Sequence, residues 1–258
     1  MAAPQPQPVL KRGMRVCKSG SNSICSVGPL LVVTQQLRYF FTVQHGISPV
    51  GERYVDATLT GNSYVTVGQY ITGVRDEKCD WALVQLNNTV KIDLELPAFQ
   101  AKATGLGFNY QKQPPQYQFF TSDTAFQNCR KDLDGNVEGS PTCKDQYQFI
   151  TQPGTNEAKE GDSGMAVYSQ AGELLGMEWG IYVDRTPQGH GHLFYVQPID
   201  TVIASLLDKI QDLKQRNQAA IKGGWTVPGA WTLIKPLADI LDQMSPQDAH
   251  HHLRLNLF

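Results

Sequence analysis

The sequence predicts an all-β protein made of two successive strand-rich units, closed by a C-terminal amphipathic helix and a short extension. Three observations carry that expectation. Short β-branched and aromatic runs punctuated by Gly, Ser and Asn recur from Met14 onward, no helix-length amphipathic pattern interrupts them, and a three- and four-residue apolar periodicity begins at Ile199.

Residues 1–13 are rich in Pro, Gln and Ala and read as a flexible N-terminal arm. The first unit, 14–95, carries apolar runs at Pro29 to Thr34, Tyr39 to Val43, Tyr64 to Tyr70 and Trp81 to Leu86. A Leu-Glu-Leu-Pro stretch near residue 95 reads as a linker. The same texture resumes over 96–198 at Ala103 to Phe108, Gln116 to Thr121, Tyr147 to Thr151, Met165 to Tyr168, Leu174 to Tyr182 and His192 to Val196. Between these runs, Asn128 to Cys143 is polar enough for a long surface loop, either functional or simply solvated. Beyond Pro198, Ile199, Val202, Ile203, Leu206, Leu207, Ile210 and Leu213 fall on one helical face, which predicts a helix over 199–216 packed as core cover on the last strand. The extension, 217–258, holds a short helical pattern from Leu233 to Met244 and a polar end, and its tryptophans, Trp225 and Trp231, suggest docking onto the body.

A chain of 258 residues buries a full-size core. With net charge −2 and an isoelectric point near 6.3, it has no basic field for nucleic acid or an anionic membrane surface. No stretch reaches the roughly 18 apolar residues of a membrane span, and the Met-Ala-Ala-Pro-Gln start lacks a signal-peptide core, so the expectation is an intracellular protein unless it is excised from a longer precursor. Five cysteines without dense spacing agree with a reducing compartment. Cys17 and Cys25 flank an expected hairpin and Cys129 and Cys143 bracket the polar loop; either pair is spaced for a disulfide or for free thiols, and a reducing compartment favours thiols. His250-His251-His252 lacks accompanying ligand spacing and reads as a solvated tail, so neither metal nor cofactor is implied. Nothing in the sequence speaks to oligomeric state.

The sharpest chemical signal is Glu160-Gly161-Asp162-Ser163-Gly164. A serine hydroxyl is a poor nucleophile unless a base stands beside it and N–H donors await the oxyanion. Gly161 allows a turn that aims its own N–H and that of Ser163 into one space, and Gly164 leaves room for a substrate main chain. Phe41-Thr42-Val43-Gln44-His45-Gly46 puts a histidine where an apolar strand enters a loop. The other histidines lie at 190 and 192 in one loop and at 250–252 in the tail, so His45 is the candidate base on a strand upstream of the serine. Cys79-Asp80-Trp81-Ala82-Leu83-Val84-Gln85-Leu86 opens an apolar strand with an aspartate, a costly group to bury without a partner. An imidazolium supplies one.

Together and in this order, these pieces resemble the chymotrypsin-like serine peptidases, from about Met14 to Leu213. Thr42-Val43-Gln44-His45 is similar to the family's Thr-Ala-Ala-His, Asp80-Trp81-Ala82-Leu83 to its Asp-Ile-Ala-Leu, and Thr104-Gly105-Leu106-Gly107 to its Thr-Gly-Trp-Gly. The resemblance implies two six-stranded antiparallel β-barrels, with His45 and Asp80 on the first and Ser163 on the second. It implies a serine endopeptidase acting on protein or peptide through a His45, Asp80 and Ser163 triad, with an oxyanion hole from the N–H groups of Gly161 and Ser163. His-Asp-Ser order also argues against subtilisin-like and α/β-hydrolase enzymes. By the same resemblance, Glu178-Trp179-Gly180 lines the substrate pocket. Glu157, with Ala158 beside it, is the pocket floor and favours Lys or Arg at the cleavage site, whereas His192, aided by Lys159, looks like the wall of members that cut after Glu or Gln.

The match departs at several points. Met165-Ala166 replaces the family's Gly-Pro, Gly46 replaces the cysteine after the catalytic histidine, and no Ile-Val-Gly-Gly activation sequence stands near the start. Two further functions compete: a catalytically silent binding module with this fold, against which the intact triad argues, and a self-processing polyprotein or capsid-type peptidase whose apolar 253–258 end occupies its own cleft.

Overall fold

The protein is described from a computed structural model. It covers residues 8–21, 23–47, 54–58, 64–76, 79–93, 116–120, 126–134, 147–151, 160–169, 173–182, 193–226 and 229–258; over 116–151 and at 169, 181, 182, 193 and 194 it describes backbone alone. The expected linker near residue 95 and the expected strand at 103–108 lie outside the described residues.

The first unit consists of β1 (Val9–Lys11), β2 (Arg15–Lys18), β3 (Cys25–Ser26), β4 (Leu30–Val32), β5 (Arg38–Thr42), β6 (Tyr54–Thr58), β7 (Tyr64–Arg75), β8 (Asp80–Leu86) and β9 (Lys91–Asp93). Seven of these make one antiparallel sheet in the order β3-β2-β6-β7-β8-β5-β4. Its two margins, β3 and β4, are consecutive in the chain and joined by residues 27–29, so the sheet must curl to bring them near each other. Register shifts at Val55/Asp56 and at Tyr70/Thr72 supply the bends that curling requires. This curled, seven-stranded sheet replaces the six-stranded barrel expected for the first unit. The arm expected over 1–13 is also corrected: from residue 8 the chain joins the body, with β1 parallel to β9 and both Leu10 and Arg12 buried. Pro- and Gln-rich composition masked a strand too short to show periodicity.

In the second unit β10 (Gln116–Phe120), β11 (Phe126–Asp134), β12 (Tyr147–Thr151), β13 (Ala166–Ser169), β14 (Leu174–Tyr182) and β15 (Leu193–Pro198) close a ring in the order β10-β11-β12-β15-β14-β13. Residues 128–134 of the expected polar loop belong to β11, bulged between Lys131 and Leu133. Backbone pairing outweighs side-chain polarity there, because every one of these residues carries the N–H and C=O groups that a ladder needs.

Three helices follow: α1 (Ile199–Gly223), α2 (Gly229–Leu241) and α3 (Pro246–Leu255). α1 runs past its expected end at 216 because Gln218-Ala219-Ala220 still favours helix, and it stops where Gly224 takes φ 67°, its N–H donating to the Ile221 carbonyl at 3.3 Å and the Trp225 N–H to the Ala220 carbonyl at 2.8 Å. α2 begins earlier than expected and includes Trp231, which is 7% exposed, whereas Trp225 is 71% exposed and does not dock. The "polar end" is α3, capped by Ser245 Oγ accepting from the Asp248 N–H and burying Ala249 and Leu253.

These helices do more than cover the last strand. β8 is apolar on both faces, and its Trp81 packs edge-on against Phe41 while its indole N–H donates to Ser205 of α1 at 3.0 Å. Ile199, Val202, Leu206, Ile234 and Leu237 therefore share one core with Tyr39, Phe40, Phe41 and Trp81. Finally the chain returns as a strap along β4: the Val32 N–H donates to Asn256, the Leu30 N–H to Phe258, and the Phe258 N–H back to Leu30, each at 2.9 Å.

Truncation after Leu255 removes these three bonds, each worth about 0.5–1.5 kcal/mol net. The expected outcome is a loss of about 2–4 kcal/mol of unfolding free energy by urea denaturation, with the native circular dichroism retained. An unchanged midpoint would show that the strap contributes nothing.

Candidate active site

β5 and β8 are antiparallel neighbours with Thr42 opposite Ala82. His45, just past the end of β5, and Asp80, at the start of β8, therefore leave the sheet at the same end of the two strands. Asp80 is 4% exposed, and an ionised carboxylate that far from water needs its lone pairs filled. They are filled: Oδ1 accepts the Gln44 N–H at 2.7 Å and the His45 N–H at 3.1 Å, and Oδ2 faces His45 Nδ1 at 2.7 Å, with Arg75 Nε at 3.8 Å. Because a carboxylate only accepts, Nδ1 carries the proton, and the neutral ring keeps Nε2 as a free base. The half-buried imidazole is held from one side and open on the other.

The loop around Ser163 is fastened to the first unit. Ser26 of β3 grips it twice, its Oγ donating to the Gly161 carbonyl and its N–H to the Ser163 carbonyl, both at 2.8 Å. Ser26's own carbonyl accepts Thr42 Oγ1 at 2.8 Å, tying this grip to the strand that delivers His45. Gly164 has φ 105° and sits so close that an added Cβ would stand 2.5 Å from the Ser26 carbonyl oxygen and 2.7 Å from Thr42 Oγ1. Only glycine allows both the turn and the approach. From behind, the Gly164 N–H donates to the Glu178 carbonyl at 2.7 Å and the Glu178 N–H to Met165 at 2.8 Å. Gly161 turns at φ 94°, and neither its N–H nor that of Ser163 donates to another group among the described residues. No hydrogen bond joins the His45 ring to the Ser163 hydroxyl among the described residues; contacts of this kind commonly tighten only when substrate is bound.

No family model matches the sequence, and no curated protein does. Solved structures do match. Protease A of Thermobifida fusca is 14% identical, with 77% of this chain and 96% of that chain covered at a TM-score of 0.52. The chain has the chymotrypsin-like fold. A Nocardiopsis protease is similar over 76% of this chain and 96% of that one, at 17% identity and a TM-score of 0.51. A glutamic-acid-specific serine protease that uses a histidine triad in substrate binding matches over 76% and 97%, at 17% identity and a TM-score of 0.50.

Within this chymotrypsin-like frame the expected pocket residues fare differently. Glu157, Ala158, Lys159 and His192 lie outside the described residues. Trp179 is half-buried and stacked on Tyr195 at 5.8 Å, and beside Gly180 an added Cβ meets nothing within 4 Å. Glu178 is 0% exposed, and neither carboxylate oxygen has a hydrogen-bond partner among the described residues. Burial, reinforced by the equally buried Asp162, pushes its carboxyl well above the usual range. The Cys17/Cys25 hairpin forms as β2 and β3, and both thiols are free. Burial drives the Cys25 thiol up to about 12, so it is protonated and inert at neutral pH. The three tail histidines belong to α3, with His250 Nε2 3.9 Å from Asp200. Residues the sequence did not single out are Ser26, Arg75 and Gln197, the last donating and accepting at the Asp80 main chain. No motif marks them: Ser26 and Gln197 bond to distant backbone, and Arg75 stands beside the Asp80 carboxylate from the neighbouring strand.

Glu178 sets a pH dependence with a definite sign. Its folded pKa lies above the ordinary 4.5, so between the two values the native state holds a proton that the unfolded chain has lost, and stability falls as pH rises, by about 1.4 kcal/mol per unit. Glu178→Gln is expected to be more stable than wild type at pH 7 and to lack that decline, as measured by urea unfolding across pH 4–8. Parallel stability curves would refute the neutral, buried carboxyl.

Proposed function

We propose that the chain is a serine endopeptidase that cleaves protein or peptide substrates through an acyl-enzyme intermediate. The observation that carries this is the 2.7 Å contact between the buried Asp80 carboxylate and His45 Nδ1, at an end of the first sheet to which the Ser163 loop is bolted through Ser26 and Thr42. Nε2 of the oriented ring takes the Ser163 hydroxyl proton as Oγ attacks the scissile carbonyl. Asp80 stays ionised and compensates the imidazolium. The negative oxygen of the tetrahedral intermediate accepts from the unengaged N–H groups of Gly161 and Ser163, a contribution of about 3 kcal/mol per donor. His45 then delivers its proton to the leaving amine, and water repeats the sequence on the ester. Every part of this chemistry is supplied by side chains and backbone.

The structural neighbours are serine proteases, which supports the same chemistry here. A self-processing reading with the C-terminal residues lodged in the cleft is not favoured, because the backbone groups of Asn256 and Phe258 are spent on β4.

A fluorophosphonate probe is expected to label wild type at one site, and Ser163→Ala is expected to abolish labelling and turnover in a folded protein. His45→Ala is expected to lower kcat/KM by about 10³-fold or more on a peptide library. A folded wild type that neither labels nor cleaves would overturn the peptidase reading and favour the binding-module alternative. The same library reads the pocket: cleavage after Lys or Arg assigns Glu157 as its floor, and cleavage after Glu or Gln assigns His192 and Lys159.

A further inference from the structure

Gln197 is wholly buried on β15, between the buried Val196 and the N-terminus of α1. An amide in such a place must satisfy both ends. It does so on a single residue. Gln197 Oε1 accepts the Asp80 N–H at 3.0 Å and Nε2 donates to the Asp80 carbonyl at 2.7 Å. β5 ends at Thr42, opposite Ala82, so no strand flanks Asp80 on that side. The Gln197 amide stands where a strand's peptide group would stand, and two bonds fix both the position and the rotation of the Asp80 main chain.

The same residue is tied to the nucleophile. Gln197 lies opposite Met177 across the β14–β15 ladder, and the next residue, Glu178, receives the Gly164 N–H through its carbonyl. A short path of backbone and hydrogen bonds thus runs from the Asp80 main chain through Gln197, Met177 and Glu178 to the residue after Ser163. Asp80 and His45 come from the first sheet and Ser163 from the closed ring, so their spacing depends on how the two units are registered.

We infer that Gln197 is a positioning residue, setting the Asp80–His45 pair at working distance from Ser163 by clamping the Asp80 backbone to the second unit. This rests on the triad reading above. Gln197 touches no reacting atom; it acts through Asp80.

The test uses the full chain, with wild type and Ser163→Ala run first to establish whether the triad reading stands. Gln197→Leu keeps the volume and removes both bonds. The expected result is a folded protein whose kcat falls about tenfold or more, the scale of an ångström misplacement, with KM within about twofold. The proton between His45 Nδ1 and Asp80, which resonates far downfield in a short hydrogen bond, is expected to move upfield or vanish. A purely structural role would lower the melting temperature and leave kcat per folded molecule and that resonance unchanged. That result overturns the proposal. Should the leucine variant not fold, Gln197→Met, unbranched and of the same reach, is read by the same two measurements with the same meaning. If wild type proves unreactive toward the fluorophosphonate, the triad reading fails, yet the resonance still decides whether Gln197 controls the Asp80–His45 pair: loss on substitution supports that control and retention overturns it.

Discussion

A carboxylate taken out of water governs the architecture. Asp80 is 4% exposed, and an unpaired charge at that depth costs several kcal/mol. The surroundings answer with two backbone N–H donors from the turn after β5, an imidazole, and a guanidinium at longer range. The N–H donors and the imidazole arrive together from the turn at 44–45 and the guanidinium from the end of β7, the two strands that flank β8, so the pairing of β5, β8 and β7 is what brings them to one carboxylate. Without the imidazole, one carboxylate oxygen loses its shortest contact.

The loop around Ser163 obeys a different constraint, one of space rather than charge. The loop at 161–164 is drawn so near to β3 and β5 that a side chain at 164 cannot exist there, and the contact is sealed by one serine gripping two carbonyl-bearing ends of the loop. Charge thus orients the His45 ring, and close backbone approach locates the loop that carries Ser163. The buried Glu178 sits behind this loop at a cost that the chain carries by keeping its proton.

Much of this was legible in the residue order. The Gly161-Asp162-Ser163-Gly164 run, the strand-end histidine and the strand-opening aspartate point to one another because each is chemically awkward alone, and the apolar runs at 39–43, 81–86, 147–151 and 174–182 announce strands by their β-branched and aromatic content. What escaped notice has physical reasons. β1, β2, β3 and β6 are too short or too polar to show a period, and β11 looks like a loop because its ladder is held by backbone groups that every residue type carries. The seventh strand in the first sheet follows from a three-residue link that no composition encodes. α3 hides behind a polar surface, since only Ala249 and Leu253 face inward. Gln197 and Ser26 are silent for a further reason: an amide or a hydroxyl that serves distant main-chain atoms leaves no pattern in its own neighbourhood.

The two margins of the curled sheet share a property with consequences outside catalysis. An open margin is a row of unanswered peptide groups, and a strand from another molecule can add there and begin a growing stack. Here one margin is taken up by the loop around Ser163 and the other by the chain's own residues 256–258. Neither offers a template for accretion. At high concentration, these two margins are closed to edge-to-edge accretion, one by the loop around Ser163 and the other by a few tail residues.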